Sequence, residues 1–104
     1  MAQTSRVQGR ATSVFTDEGA LCVRYHSTVV AKRNADGTTT LDSGGWHTNT
    51  TKIRINQFAN QHCGGAFQVA QRDFAWFVQF RDTNYNVVRE MSFADGITFA
   101  INKE

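Results

Sequence analysis

Two glycines, four hydroxyl-bearing side chains, a lysine and an arginine crowd into residues 43–56, Ser-Gly-Gly-Trp-His-Thr-Asn-Thr-Thr-Lys-Ile-Arg-Ile-Asn. The chemistry these types favour together is anion binding. The first turn of a helix leaves backbone N–H groups unpaired and carries a partial positive charge. Glycines before such a turn let a ligand approach the backbone, and hydroxyls and a lysine add donors. Gly45, Thr48, Thr50, Thr51 and Lys52 supply these parts, and Trp46 offers a flat face for stacking. Arg54 can meet a phosphate with two parallel hydrogen bonds. Asn56, near the helix start, and Arg24 and His26, on an earlier strand, complete the candidate set, with Arg24 as a counter-charge. A structural reading stands beside this one, because threonines before a helix are ordinary N-caps and Gly-Gly is an ordinary loop. The spacing is not that of a Walker loop.

Other chemistries find less support. Asp17, Glu18, Asp36, Asp73, Asp82 and Asp95 fall in expected turns, where turn chemistry accounts for them. With Glu104 as the last residue, only Asp42 and Glu90 remain for a paired-carboxylate mechanism, which needs both in one cleft. Asp42, Ser43 and His47 can be drawn as a triad, but the Gly-x-Ser-x-Gly elbow is absent. His26, His47, His62 and Cys63 lack the paired spacing of a zinc site. The residues therefore point to a binding protein rather than an enzyme, with no metal and no cofactor.

The elements that must position this stretch follow from periodicity. Residues 6–16 read as a first strand, with Asp17-Glu18-Gly19 as its turn. Leu21, Val23 and Tyr25 alternate with Cys22, Arg24 and His26, and the chain continues extended through Lys32. Asp36-Gly37 is a hairpin signal leading into Thr38-Thr39-Thr40-Leu41. One helix is expected over residues 50–63, with Thr51, Ile55, Phe58, Ala59 and His62 on its apolar face, Gln57 turned away, and Gly64-Gly65 as its stop. Phe67 to Gln71, Phe74 to Phe80 and Val87 to Phe93 read as strands, with a reversal at Arg72-Asp73 and a polar turn over Asp82 to Asn86. Asp95-Gly96 is a second hairpin signal before a last strand at Ile97, Phe99 and Ile101. Trp76, Val78 and Phe80 share one face. Phe77, on the other, implies that this second face is covered by another layer or a partner subunit. The economical fold is α+β, a curved antiparallel sheet of about six strands with one helix packed on one face.

Composition sets the outer bounds. A chain of 104 residues, 40% hydrophobic and with 12% aromatics, fits one domain spanning residues 1–104. A net charge of +2 permits an anionic partner without the excess of a dedicated duplex binder. No apolar run approaches the roughly 20 residues of a membrane helix, and no signal peptide is evident at the N-terminus. Cys22 and Cys63 belong to no Cys-x-x-Cys pair. A reducing setting favours two free thiols, and the spacing leaves a disulfide open.

Three runs carry a resemblance: Val23-Arg-Tyr-His-Ser-Thr-Val-Val, Leu41-Asp-Ser-Gly-Gly-Trp-His-Thr-Asn-Thr-Thr-Lys-Ile-Arg-Ile-Asn-Gln, and Phe67-Gln-Val-Ala-Gln-Arg-Asp-Phe-Ala-Trp-Phe-Val. Over residues 22–80 the chain resembles a group of small, mostly uncharacterised tailed-phage proteins, most specifically in the block Gly-Gly-Trp-x-Thr-x-Thr-Thr-Lys-x-Arg-x-Asn. The resemblance implies a phage origin and a role in the host cell cytoplasm; it carries no catalytic residue. The expectation is a phage protein holding a nucleotide or other phosphate-bearing ligand, such as a host-defence signal that it sequesters. Its rivals are a single-stranded nucleic-acid binder using Phe74, Trp76, Phe77 and Phe80, and a protein–protein inhibitor of a host enzyme. No membrane partner is expected, and self-association into a homo-oligomer is left open.

Overall fold

Alternating β-branched and aromatic residues build most of this molecule, and a single amphipathic helix closes it. The computed structural model describes residues 9, 11–45 and 47–101. Among the described residues, eight strands and one helix run in the order β1 (Thr12–Asp17), β2 (Ala20–Tyr25), β3 (Thr28–Arg33), β4 (Thr38–Leu41), α1 (Asn49–His62), β5 (Phe67–Arg72), β6 (Ala75–Arg81), β7 (Val87–Ser92) and β8 (Ile97–Ala100). The α+β class with a single helix is as expected. The strands, however, form two antiparallel sheets rather than one: β1-β2-β3-β4-β8 and β5-β6-β7.

The division happens at Asp95-Gly96. A two-residue hairpin there would pair β7 with β8, but β7 pairs with β6 and β8 crosses to β4. Gly96 does adopt positive φ, at 82°. Its N–H, however, donates to the Leu41 carbonyl at 2.9 Å, which docks the turn on the end of β4. Local turn chemistry is thus satisfied by a crossover instead of a hairpin. Asp36-Gly37 does lie in the β3–β4 hairpin, with Gly37 at φ 91° and the Asn34 N–H closing on the Thr38 carbonyl at 2.7 Å.

Two further boundaries differ from expectation. The long strand through residues 21–33 breaks at His26-Ser27, where His26 takes φ 57° and the chain reverses into β3. The reversal after β5 is at Asp73-Phe74, one residue beyond Arg72-Asp73, with both turn residues at positive φ. Of the first expected strand, residues 6–8 and 10 lie outside the described residues.

Helix α1 packs against β5, β3 and β2. Thr51, Ile55, Phe58 and Ala59 are buried on its inner face, as the spacing requires. Gln57 is buried too, contrary to its expected outward position; its Oε1 accepts from Arg54 Nη1 at 3.4 Å, which compensates a polar group withdrawn from water. Burial of a side chain such as Phe58 contributes roughly 1.5–3 kcal/mol. Gly65, at φ 73°, ends the helix by donating to the Ala59 carbonyl. Beyond the helix the sheets meet through Phe99, which lies edge-on to Phe67 and Phe80 at ring-centroid distances of 5.1 and 5.0 Å.

Trp76, Val78 and Phe80 face the core. Phe77 is half-buried on the opposite face, where the Arg72 guanidinium rather than another strand layer lies over it, 4.4 Å from its ring centroid. Cys22 and Cys63 are both buried and free, with no disulfide between them. Among the described residues no helix is long and apolar enough to cross a membrane.

Candidate functional site

The Gly-Gly loop is held by the chain's own carboxylates. Asp42 Oδ1 accepts from the Gly44 N–H at 2.6 Å. Asp95 Oδ1 accepts from the Ser43 N–H at 2.8 Å and from the Ser43 hydroxyl at 2.6 Å, while Oδ2 accepts from the Gly45 N–H at 3.2 Å. Burial works to raise the Asp95 carboxyl, but the hydrogen bonds from Ser43 and Gly45 and the nearby His47 outweigh it, leaving its pKa below the ordinary value. Gly44, at φ 66°, must be glycine on steric grounds as well: an added Cβ would stand 2.4 Å from Thr28 Oγ1. The amides expected to receive a ligand in this loop are therefore occupied.

The helix begins immediately afterwards. Thr48 is the N-cap, with φ −95° and ψ 158°, and its Oγ1 accepts from the Thr51 N–H at 3.2 Å. The two hydroxyls are 3.0 Å apart. The amides of Asn49 and Thr50, in the first turn, have no partner within the helix.

Between the helix start, Ser43 and the β2–β3 turn lies a cavity of about 260 Å³, lined by Tyr25, His26, Ser27, Thr28, Val30, Ser43, Thr48 and Thr51. Six of these eight carry hydroxyls, one is an imidazole and none is a carboxylate. His26 turns its ring against Tyr25, centroids 4.4 Å apart. The Arg54 guanidinium is 5.9 Å from the Tyr25 ring centroid, and its Nε donates to Thr12 Oγ1 at 2.9 Å. A positive helix end and a ring of hydroxyls can together hold an anionic oxygen cluster.

Of the residues singled out by sequence, His26, Thr48 and Thr51 line this cavity, and Arg54 stands behind Tyr25. Others are placed elsewhere. Lys52 Nζ donates to Gln71 Oε1 on β5 at 3.2 Å. Asn56 brackets Val69, donating to its carbonyl at 3.1 Å and accepting from its N–H at 2.7 Å, and so acts as a strand edge for β5. Arg24 is exposed, its guanidinium 5.0 Å from the Phe15 ring centroid. Thr50 is half-buried but not in the lining, and Gly45 is exposed with its amide taken. Trp46 lies outside the described residues. Sequence reasoning missed Tyr25, Ser27, Thr28, Val30 and Ser43. The signal was the polar run His26-Ser27-Thr28, which interrupts an otherwise apolar alternation and marks the turn forming one cavity wall.

Two other clusters flank the helix. His47 stacks on Trp76, centroids 4.5 Å apart and planes 17° apart, with Phe93 edge-on to both. At the helix C-terminus, burial pushes the Cys63 thiol above its ordinary pKa, against the opposing influence of Arg33 and Thr39, so the thiol stays protonated.

No curated protein and no solved structure matches the chain. The family described as Kyanoviridae Gp96 protein matches residues 1–100, nearly the whole length. That match agrees with the phage origin implied by the three runs above. The chain belongs to the Kyanoviridae Gp96 family of phage proteins.

Proposed function

We propose that this protein is a non-enzymatic binding protein that holds a small phosphate-bearing ligand in the cavity beside the α1 N-terminus. A mononucleotide is the ligand class of first choice, and sequestering such a molecule in the host cytoplasm is the corresponding role. The supporting observation is the lining: six hydroxyls and an imidazole, without a carboxylate, at the positive end of a 14-residue helix. At about 260 Å³ the space is just below the usual range of small-molecule sites, which favours a compact ligand over a bulky one. Walls without a carboxylate, at the positive end of a helix, favour phosphate oxygens over cations.

The test is a thermal-shift screen with inorganic phosphate, mononucleotides and cyclic dinucleotides. A ligand present at a hundred times its Kd stabilises the fold by about 2.7 kcal/mol, a clear rise in Tm. Thr51→Val, which deletes a lining hydroxyl, abolishes that rise, while Lys52→Ala, outside the cavity, leaves it intact. No rise with any probe removes the reading.

A second reading, binding to a host protein, draws on a different observation. The β7 edge strand is exposed along its length, with Val87, Val88 and Met91 open to solvent, and such an edge is a template for pairing with another chain. It predicts retention of a host protein and no nucleotide affinity. Single-stranded nucleic-acid binding predicts affinity that falls steeply with salt. It is disfavoured by the burial of Trp76 and Phe80.

A further inference from the structure

The β5–β6 hairpin ends in an unusual pair. Asp73 and Phe74 take φ 52° and 68°, the doubly left-handed geometry of a two-residue turn that ordinarily calls for Asn-Gly or Asp-Gly. A bulky side chain in the left-handed region is strained, and such strain recurs at functional positions. Phe74 is also 93% exposed, the most exposed large hydrophobic among the described residues. A strained turn that holds a phenylalanine out in water has no folding rationale.

A receiving surface lies at the other end of the same sheet. A cleft of about 340 Å³ opens between β7 and the end of β8, with Phe80, Val88, Ala100 and Ile101 as apolar walls and Arg81 and Arg89 among them. Val88 is 64% exposed there. Arg89 lies over the Phe80 ring at 4.3 Å, and Arg81 donates to Gln68. Among the described residues neither guanidinium is in an ion pair. The cleft therefore offers room and apolar walls to an aromatic ring, and two cations to a carboxylate beside it. Asp73-Phe74 presents that combination. Knob and cleft are six residues apart along β6, roughly 20 Å of strand, so one molecule cannot satisfy itself.

We infer that the occupant of this cleft is a second copy of the chain, with Phe74 of one molecule entering between Phe80 and Val88 of the next and Asp73 meeting Arg81 and Arg89. The contact is heterologous, so it propagates head to tail and closes into a ring or extends as a filament.

Sedimentation velocity over a range of roughly 1 µM to 1 mM tests it. The wild-type mass is expected to climb with concentration, and added salt to oppose the climb, because the contact includes an ion pair. Phe74→Gly installs the Asp-Gly turn that this geometry favours, so its Tm rises while it stays monomeric. Val88→Asp, at an exposed position, leaves the fold intact and is likewise monomeric. Mixing the two variants restores one contact, between the intact knob of Val88→Asp and the intact cleft of Phe74→Gly, and yields a one-to-one complex that grows no further. A wild type that stays monomeric throughout, including one that instead retains a host protein through this hairpin, overturns the inference. So does a Phe74→Gly variant that associates as the wild type does.

Discussion

Asp95 and Ser43, 52 residues apart in the chain, meet through one carboxylate oxygen that accepts from the Ser43 amide at 2.8 Å and from its hydroxyl at 2.6 Å. Asp95 belongs to the crossover from the three-stranded to the five-stranded sheet, and Ser43 forms part of the cavity wall. One side chain thus ties the junction between the sheets to the geometry of the site.

Removing that tie with Asp95→Ala is expected to cost about 1 kcal/mol, less than is usual for hydrogen bonds to a charged group because the site is open to water. The direction of its pKa sets the pH dependence. A carboxyl depressed in the folded state contributes stability above its unfolded pKa, and that contribution is lost as pH falls through the folded value. Urea titrations near neutral pH and in strong acid check this: the wild type and Asp95→Ala differ at neutral pH and converge in acid.

Asn56 gives the clearest case of a candidate binding residue that the fold uses for itself. Its amide satisfies both backbone groups of the buried Val69, at 2.7 and 3.1 Å. Asn56→Ala leaves those groups without their side-chain partners at a half-buried sheet edge. The expected loss is about 2 kcal/mol in an equilibrium urea titration. Asn56→Asp keeps an acceptor for the Val69 N–H but turns a carboxylate towards the Val69 carbonyl, and is no better than alanine.

His62 should behave as an acid-sensitive weak point. Its Nε2 is buried without a hydrogen-bond partner, and burial, helped by Arg33, lowers its pKa from the ordinary 6.5. A histidine with a lowered folded pKa resists protonation, so stability is full above pH 6.5 and is lost as pH falls towards the folded value. His62→Leu is expected to raise Tm at neutral pH and to flatten the decline just below pH 6.5, measured by thermal melts across that range.

Much of the fold was legible because its signals are local. Alternation marks β2, β6 and β7, and the spacing of Thr51, Ile55, Phe58 and Ala59 marks the buried face of α1 to within a residue of its ends. What escaped depends on partners distant in sequence. Nothing near Asp95 announces that its carboxylate serves Ser43 and Gly45 rather than its own turn. Nothing near Gly96 announces that its N–H belongs to Leu41, at the point where the strands divide into two sheets. The site shows the same division. Thr48 and Thr51 were legible as a helix start. Tyr25, Ser27 and Thr28 were not, because a strand alternation absorbed the two-residue turn at His26-Ser27. Lys52 and Asn56 share the helix with the site but reach for β5, a choice made by tertiary packing.

His26 makes the cavity testable without unfolding the protein. It is exposed, holds φ 57°, and contributes its ring to the lining. Glycine tolerates that backbone conformation, so His26→Gly deletes the ring while holding or raising the melting temperature. Its circular dichroism spectrum and thermal melt check this.

The most direct measurement is isothermal titration of mononucleotides and inorganic phosphate into wild type and His26→Gly at low and moderate salt. Saturable one-to-one binding to the wild type, weakened at least about tenfold in His26→Gly and shallow in its dependence on salt, is the predicted result. Equal affinity in the two proteins, or no saturable binding of any of these ligands, contradicts the assignment of the cavity.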